Sequence, residues 1–201
     1  MVKTILHIVI CSVVIFSATL FADDFDDIKK NYTQSAAIQL KANIILISEV
    51  FGDADTTKSQ ILIADDGRYR AEMNDDIYLF DGICVYEYSF ENAQATVKCL
   101  KEGEAFDNQM FFIKNLDNYY TTNIIIPNQE YSLIKKDTSF TAFPDSLEVY
   151  IKDSHISRIE YFDINDDLNR VILNSDSILN LVNDSLFLID FPDSVEIIKM
   201  P

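Results

Sequence analysis

Histidine is scarce in this sequence, and the common active-site motifs are missing from it. Among 201 residues there are two histidines, His7 and His155. A Ser/His/Asp or Cys/His set needs a histidine as its base, and only His155 lies outside the apolar N-terminal stretch. No GxSxG, HExxH or phosphate-binding loop occurs. We therefore expect no catalytic site and no cofactor, and we expect His155, in the turn KDSHIS, to be an exposed loop residue.

Positive charge is also scarce. The chain has 16 Lys and Arg residues against 33 Asp and Glu residues, which gives a formal net charge of −17. Phosphate backbones and anionic membrane surfaces repel such a chain. The carboxylates are scattered through predicted turns and strand exteriors, rather than paired as a general acid and a general base. The charge balance thus excludes nucleic acid as a partner.

The longest apolar run lies at the N-terminus. It extends from Ile5 to Phe21, follows Lys3, and ends at Ala22 before the acidic stretch DDFDD. This pattern predicts a secretory signal peptide over residues 1–22, which would be removed on export. An uncleaved membrane anchor is the alternative, since the run is just long enough to span a bilayer.

Cleavage after residue 22 would leave residues 23–201 as a single domain, a length that can bury one core. The removed segment holds one lysine and no carboxylate, so the net charge would change from −17 to −18. Cys11 in that segment follows Ile10, where a lipobox needs a small residue. We therefore do not expect the chain to carry a lipid anchor.

Two cysteines remain after residue 22, and they lie in the stretch DGICVYEYSFENAQATVKC, residues 81–99. Apolar and polar residues alternate on both sides of ENAQ, which predicts a half-buried β-hairpin. In that hairpin Cys84 faces Cys99, Tyr86 faces Val97, and Tyr88 faces Ala95. Facing strand positions lie within disulfide reach, so we expect a Cys84–Cys99 disulfide in an exported protein; two buried free thiols are the alternative.

The remaining sequence predicts a mostly β chain with two helices. An acidic start and an apolar stripe indicate a helix over about 24–37, and Phe106, Met110, Phe111, Ile113 and Leu116 are spaced like an apolar face of a second helix. GDADTTK, residues 52–58, reads as a turn. The predicted strands outside the hairpin are 38–51, 59–66, 67–73, 76–80, 122–127, 130–137, 146–153, 155–164, 168–175 and 185–192.

About ten or eleven antiparallel strands form a sheet that must curl or close. The expected fold class is α+β, a curved, incompletely closed antiparallel β-barrel with the helices as a lid. Large side chains, among them Tyr69, Tyr86, Tyr88, Met110 and Phe111, would point inward. They would line a cavity suited to an acyl chain, or they would simply pack the helices onto the sheet.

One stretch resembles a metal site in part. DINDDLN, residues 163–169, begins like a calcium loop with Asp163, Asn165 and Asp167. Leu168 then stands where that loop needs glycine, and Asn174 stands where it needs a bidentate glutamate. We expect a β-turn between two strands here and no metal site.

Five motifs in order resemble the LolA family of periplasmic lipoprotein carriers. They are IKKNYTQS, ILIADDGRYRAEM, DIYLFDGICVYEY, NQMFFIKNL and SLFLIDFPDSVEII. The first is similar to that family's first helix, and the fourth to its mid-chain helix. The other three are similar to its strand segments, and together the motifs extend over nearly all of residues 23–201.

The resemblance implies an open eleven-stranded barrel whose hydrophobic cavity holds the acyl chains of a lipoprotein. It implies a soluble periplasmic monomer that receives cargo from an inner-membrane transporter of the LolCDE type and passes it to an outer-membrane acceptor. By match to the family, the cavity residues would be Tyr69, Tyr86 and Tyr88. Met110, Phe111 and Phe112 would lie on the lid helix.

The sequence departs from the family pattern at two places. The family's apolar strand ends in Arg-Pro, whose arginine bonds to the lid, whereas Asp65-Asp66 stands here. The cysteine pair is the second departure. Three alternatives stay open on this basis: a carrier of a different acylated lipid, a LolA-like sensor or interaction module, and an enzyme built around His155.

Overall fold

The computed structural model of the protein describes residues 23–48, 52–101, 111–137 and 143–200. The predicted signal peptide over residues 1–22 lies outside this part of the chain. None of the helices in the described ranges is long and apolar enough to cross a membrane.

Short helices and twelve strands make up the described chain. The α-helices are α1, Asp24–Gln34, and α2, Leu116–Tyr119; the 3-10 helices are η1, Phe111–Asn115, and η2, Asp184–Phe187. The strands are β1 Ala37–Ser48, β2 Asp53–Ala64, β3 Tyr69–Met73, β4 Asp76–Phe80, β5 Cys84–Ser89, β6 Gln94–Cys99, β7 Tyr120–Ile126, β8 Glu130–Lys135, β9 Ser146–Lys152, β10 His155–Phe162, β11 Leu168–Leu179 and β12 Glu196–Lys199.

All twelve strands belong to one sheet, in the order β12-β6-β5-β4-β3-β2-β1-β11-β10-β9-β8-β7. Within the described residues β7 and β12 end this order without pairing to each other, so the sheet is not closed. This confirms the predicted unclosed antiparallel sheet with short helices. Two details differ from the prediction: the described residues form twelve strands rather than ten or eleven, and β12 pairs with β6 in parallel.

The hairpin of β5 and β6 has the register predicted from its alternating sequence. Cys84 pairs with Cys99, Tyr86 with Val97, and Tyr88 with Ala95, and the two cysteines form the predicted disulfide. The turn before β5 is held by Asp81, whose Oδ1 accepts hydrogen bonds from the N–H groups of Ile83 and Cys84, each at 2.8 Å.

Helix α1 confirms the first predicted helix, although it ends at Gln34 rather than near residue 37. The Asp23 side chain caps its start by accepting a hydrogen bond from the N–H of Phe25 at 3.1 Å. At its end Ser35 adopts an extended backbone and its Oγ donates to the carbonyl of Tyr32 at 2.7 Å. The chain can then enter β1 without further helical residues.

GDADTTK, residues 52–58, was predicted as a turn, and this prediction is wrong. Strand β2 begins at Asp53, which pairs with Ser48, and it continues antiparallel to β1 for its whole length. The side chains at this end of β2 are mostly exposed, so polar residues are tolerated there. Pairing with β1 satisfies the backbone N–H and C=O groups regardless of side-chain polarity. A prediction from local composition therefore fails for this strand.

SLFLIDFP, residues 185–192, was predicted as a strand, and this is also wrong. Asn183 accepts a hydrogen bond from the N–H of Ser185 at 3.0 Å and starts the short helix η2. The preceding strand β11 already has neighbours on both sides, β1 and β10. The segment therefore cannot add to the sheet at that position, and the chain pairs with β6 only from Glu196 onward.

Two separate apolar clusters lie on opposite sides of the sheet. The face packed against α1, η1 and α2 is called the helix-covered face, and these three helices the helical cover. The other is called the opposite face. The cluster on the helix-covered face includes Ile38, Leu40, Ile61, Ile63, Tyr69, Ala71, Leu133, Val149, Ile159 and Val171. The smaller cluster on the opposite face contains Ala37, Leu62, Ala64 and Phe187.

Candidate functional site

The helix-covered face is the largest continuous apolar surface of the described chain. Helix α1 contributes Phe25, Ile28 and Tyr32 to it, at the spacing of one helical stripe. These side chains are buried against strand residues that point to the same side. Burial of each large apolar side chain contributes about 1.5–3 kcal/mol, so apolar contact is the main interaction that holds α1 on the sheet.

An aromatic group around Phe112 holds the second part of the helical cover. The ring of Phe112 lies edge-on to Tyr120 at 5.8 Å, to Phe143 at 5.9 Å and to Tyr161 at 6.4 Å, measured between ring centroids. Tyr119 in α2 contacts Phe143 in the same manner at 4.7 Å. Edge-to-face pairs add stabilisation beyond the buried area, and they fix η1 over strands β7 and β10.

Lys114 connects η1 with the end of α1. Its side chain is 1% exposed, and its Nζ donates to the carbonyl oxygens of Ser35 at 2.8 Å and Tyr32 at 2.9 Å, with that of Thr33 at 3.5 Å. The last carbonyls of a helix lack intrahelical partners and carry partial negative charge. Lys114 therefore acts as a C-terminal cap for α1 that comes from another helix.

The ammonium of Lys114 makes no ion pair with a carboxylate of the described residues. Burial lowers the pKa of Lys114, and the negative charge of Asp65 opposes that shift. A buried cation is costly unless its N–H groups are hydrogen-bonded. The three carbonyls are therefore needed for Lys114 to remain in place, and separating η1 from α1 would bring Lys114 back into water.

Lys29 provides a second polar contact at the margin of the helical cover. Its Nζ lies 2.9 Å from a carboxylate oxygen of Asp26 in α1 and 2.7 Å from one of Asp117 in α2. Burial disfavours its charged form, but hydrogen bonds and charges from Asp117 and Asp26 outweigh this effect and raise the pKa of Lys29. Lys29 thus links the first and last helices of the cover.

A third polar contact joins α1 to strand β11 through Asp176. Tyr32 donates its hydroxyl hydrogen to Oδ2 of Asp176 at 2.8 Å, and Nδ1 of His155 lies 2.9 Å from Oδ1. Burial, with the nearby charge of Asp176, raises the pKa of Tyr32. The His155 side chain is 64% exposed, as the sequence predicted, although it begins β10 rather than lying within a turn.

Two of the six predicted cavity residues lie in the helix-covered cluster. Tyr69 on β3 pairs with Ile63 on the helix-covered face, and Phe112 occupies the centre of the aromatic group. Burial raises the pKa of Tyr69, with a smaller contribution from Tyr78. Met110 lies outside the described residues, and Phe111 begins η1 but its side chain is not described.

Tyr86 and Tyr88 lie on the other side of the sheet from Tyr69. Directly paired residues of adjacent strands share a face. Tyr86 pairs with Leu79, and Leu79 pairs with Arg70, so these three side chains lie on one face. Tyr69 is next to Arg70 in β3 and therefore points to the other face. The structure therefore does not bring the three tyrosines together on one face. The expectation of a single cavity lined by all three is corrected by this register.

The C-terminal segment, residues 180–200, covers the tyrosine pair on the opposite face. Phe191 lies 5.7 Å from the ring of Tyr88 and 6.5 Å from that of Tyr86. Tyr86 also donates its hydroxyl hydrogen to Asp81 at 2.9 Å. Burial and this hydrogen bond raise the pKa of Tyr86.

Two arginines, Arg68 directly before β3 and Arg70 in β3, hold the same segment further along. The guanidinium of Arg68 lies over the ring of Phe187 at 4.6 Å and donates to the carboxylate of Asp184 at 2.7 Å. Arg70 donates to the carbonyl of Leu188 at 3.0 Å. Arg68 also bonds to Asp66 in the β2–β3 turn at 2.8 Å. The Asp65-Asp66 pair therefore serves a turn and an ion pair at this end of the sheet.

DINDDLN forms the predicted turn. Oδ1 of Asp163 accepts hydrogen bonds from the N–H groups of Asn165 at 2.8 Å and Asp167 at 3.2 Å. The carboxylate is thus occupied by the backbone of its own turn. Within the described ranges, no group of three or more His, Cys, Asp or Glu side chains is placed to hold a metal ion.

The sequence reasoning missed the polar contacts of the helical cover, above all Lys114. A signal was present, because this lysine directly follows three apolar residues in FFIKNL. A lysine inside an apolar helical stretch must either reach water or find acceptors. Its acceptors are carbonyls of a segment about 80 residues earlier in the chain, and such a distant partner cannot be read from local spacing.

Comparisons with known proteins give a similarity of fold. No protein-family model matches the sequence, and no curated protein matches it. An uncharacterised conserved protein from Thermus thermophilus has a similar structure, with 11% identity, coverage of 88% of this chain and 97% of that chain, and a TM-score of 0.52. At this identity the similarity shows the fold alone.

Two further solved structures are more distant. A LolA superfamily protein from Nitrosomonas europaea is 10% identical, with coverage of 82% of this chain and 96% of that chain and a TM-score of 0.43. A DUF1329 family protein from Desulfovibrio piger is 12% identical, with coverage of 82% and 95% and a TM-score of 0.41. With TM-scores below 0.5, both structures are only loosely similar to this chain.

Proposed function

We propose that the protein is a carrier that holds the acyl chains of a lipoprotein or another acylated lipid on its helix-covered face. The observation that carries this proposal is the combination of an apolar interior with a helical cover whose margin is fixed by polar contacts. Lys114, Lys29 and Tyr32 make those contacts. Polar contacts can exchange with water when the cover moves, and the apolar face then becomes available to a lipid.

The side chains of the helix-covered face are packed against one another, which suits an empty carrier in a closed state. Burial contributes about 0.8 kcal/mol per methylene, so three chains of about 15 carbons would gain more than about 30 kcal/mol. Observed affinities saturate near roughly 20 kcal/mol. A carrier that must release its cargo therefore needs an opposing cost, and separation of α1 from the sheet would supply it.

The positions of the charged groups beside the helical cover differ from those in the family that the sequence resembles, so we expect this cover to open in a different manner. There, an arginine at a strand end bonds to the lid. Here the cation, Lys114, lies in the helical cover, and the strand end carries Asp65, whose charge acts on it. We propose that the contact between Lys114 and the α1 carbonyls must break for loading.

We further propose export to the periplasm, cargo delivery by a LolCDE-type inner-membrane transporter, and transfer of the cargo to an outer-membrane acceptor. The disulfide between Cys84 and Cys99 suits an oxidising compartment, and the five sequence motifs suit this transport route. The proposed carrier acts as a monomer and performs no catalysis.

Loading can be tested with residues 23–201 and inner membranes that contain a labelled lipoprotein, the transporter and ATP. We expect a soluble one-to-one complex of carrier and lipoprotein. The decisive variant replaces Asp26 and Asp117 by cysteine, since both carboxylates contact the Nζ of Lys29. A short bis-maleimide linker between these cysteines would hold α1 to α2 and should abolish loading.

The same double variant without the linker is the matched control, and it should still load cargo. Loading that persists after cross-linking would show that the cover does not need to open. A second comparison uses Tyr69→Glu and Tyr86→Glu, which lie on different faces. We expect the first substitution to abolish loading and the second to preserve it.

A lipid-responsive interaction module is the second candidate, because the helix-covered face is filled by its own side chains. Native mass spectrometry of the protein purified from its host separates the two. A bound lipid other than a lipoprotein would indicate a carrier of different cargo. A protein that never binds lipid, with or without the transporter, would favour the interaction module.

A further inference from the structure

A groove of about 460 Å³ lies on the opposite face, over strands β7 to β11. Its floor is a row of directly paired residues across the sheet. Val149 and Ile159, the neighbours of this row in β9 and β10, belong to the helix-covered cluster. The groove is therefore on the other side of the sheet from the proposed lipid site. The row, in spatial order, is Ile126, Glu130, Tyr150, Arg158 and Ile172.

Arg158 is the main cationic group of the groove. Its guanidinium lies over the ring of Tyr150 at 3.8 Å. Among the described residues its buried Nε has no hydrogen-bond partner, and a carboxylate oxygen of Glu160 lies 3.5 Å from it. Glu160 also accepts a close contact from Arg170. The ion pair of Arg158 is thus long and shared, and the exposed part of its guanidinium, on a side chain that is 38% exposed, can meet another oxyanion.

The described residues that line the groove also include one carboxylate and a second cation. Glu130 pairs with Tyr150 from the side opposite to Arg158, and Lys152 lines the same groove. Glu130 and Arg158 stand two strands apart, about 9–10 Å between their backbones. Because the Arg158 guanidinium lies over the Tyr150 ring between the two strands, a small molecule can contact both charges from the open side of the groove.

Neither an anion nor a cation alone suits this arrangement. A simple anion would approach Glu130, and a simple cation would approach Arg158 and Lys152. A molecule with an ammonium group and an oxyanion can satisfy both sides, and Ile126 and Ile172 offer apolar contact at the two ends of the row. A volume of this size is within the range of small-ligand sites.

We propose that this groove binds a small zwitterion, with its ammonium toward Glu130 and its oxyanion toward Arg158 and Lys152. The shared chemistry is found in free amino acids and in the head group of ethanolamine phospholipids. This site is independent of the proposed lipid-carrier function, since it lies on the other face of the sheet.

The test is a titration of ¹⁵N-labelled residues 23–201 followed by NMR. The probes are leucine, dihexanoyl phosphatidylethanolamine and, as the anion of equal chain length, dihexanoyl phosphatidylglycerol. We expect a zwitterion to shift resonances of β8 to β11 and the anion to bind at least about tenfold more weakly. Leucine binding would identify a free solute, and binding of phosphatidylethanolamine alone would identify a lipid head group.

Two variants locate the charges. Arg158→Gln should weaken zwitterion binding about tenfold or more, and Glu130→Gln should remove the preference for zwitterion over anion. Lys30→Gln, an exposed lysine in α1, is the charge-matched control and should change neither. Absence of any zwitterion binding at about 10 mM, equal binding of the anion, or binding that Arg158→Gln leaves unchanged would each overturn the proposal.

Discussion

The two faces of the sheet are covered by different means. The helix-covered face has one continuous apolar cluster, and its polar groups, such as Lys29 and Lys114, lie at the margin. The opposite face is covered over β1 to β6 by an irregular C-terminal segment. That segment is attached at separate points, through Phe187 against Leu62 and through Phe191 against the tyrosine pair.

The comparison shows that the buried side of the sheet changes along its width. In β3 the buried Tyr69 and Ala71 face the helices. In β5 the large side chains, Tyr86 and Tyr88, face the C-terminal segment, and β4 places Leu79 on that same side. Each strand still alternates with period two, so each buries the face on which a covering segment lies.

The largest difference between the faces should appear on removal of a central aromatic ring. Phe112→Ala deletes a fully buried side chain that touches three other rings, and we expect a loss of about 3–5 kcal/mol in the free energy of unfolding. Urea denaturation followed by circular dichroism measures it. A loss equal to that of Phe191→Ala would show that the two covers are equivalent.

The disulfide tests how far the opposite face depends on a covalent link. Reduction, or the pair Cys84→Ser and Cys99→Ser, should lower the free energy of unfolding by about 3 kcal/mol, because the bond closes a loop of about 15 residues. Hydrogen exchange should increase in β5, β6 and β12 and remain slow in β1. Uniform loss of protection would contradict a local role for the bond.

Lys114 tests the polar margin of the helical cover. Lys114→Met keeps the aliphatic stem but leaves the carbonyls of Tyr32 and Ser35 without their donor. We expect a loss of about 2 kcal/mol in the free energy of unfolding, with faster hydrogen exchange at the end of α1. Lys30→Met, an exposed position on the same helix, is the control and should change stability little.

Alkaline pH should weaken the helix-covered face through its tyrosines. Burial, with the charge of Asp163, raises the pKa of Tyr161 to about 12, whereas an unfolded tyrosine titrates near 10. Between pH 10 and pH 12 the unfolded tyrosine loses its proton while the folded one keeps it. The contribution of Tyr161 to the free energy of unfolding is therefore fully present below pH 10 and declines as the pH rises toward 12. The decline from this residue is about 1.4 kcal/mol per pH unit.

Denaturant unfolding at pH 8 and pH 11 measures this effect. Tyr161→Phe cannot ionise, so its stability should fall less between the two pH values than that of the unsubstituted protein. If both proteins lose the same stability, Tyr161 ionises equally in the folded and unfolded states.

The smallest effect is expected at the outer attachment of the C-terminal segment. Phe191→Ala removes contacts with Tyr86 and Tyr88 at an incompletely buried position, and should cost about 1 kcal/mol. Limited proteolysis should then cut the C-terminal segment while the remaining sheet stays protected. Global unfolding by this substitution would mean that the C-terminal segment stabilises the sheet as strongly as the helical cover does.

Local sequence predicted those elements whose interactions are near in the chain. The hairpin register of Cys84 and Cys99 follows from alternation around one turn, and α1 follows from its acidic start and apolar stripe. The errors lie where distant pairing overrides composition. Polar residues 53–58 extend a strand because β1 is their partner, and apolar residues 185–192 form no strand because β11 has no free edge.

The sequence by itself determined that side chains alternate along the strands, that Tyr86 and Tyr88 share a side, and that the cysteines can bond. Only the tertiary structure decided which side of the sheet they occupy and what covers it. The reason is geometric. Alternation with period two places neighbouring side chains on opposite faces, but it does not determine which face is buried. The buried face is set by where α1 and the C-terminal segment, which come from remote parts of the chain, pack on the sheet.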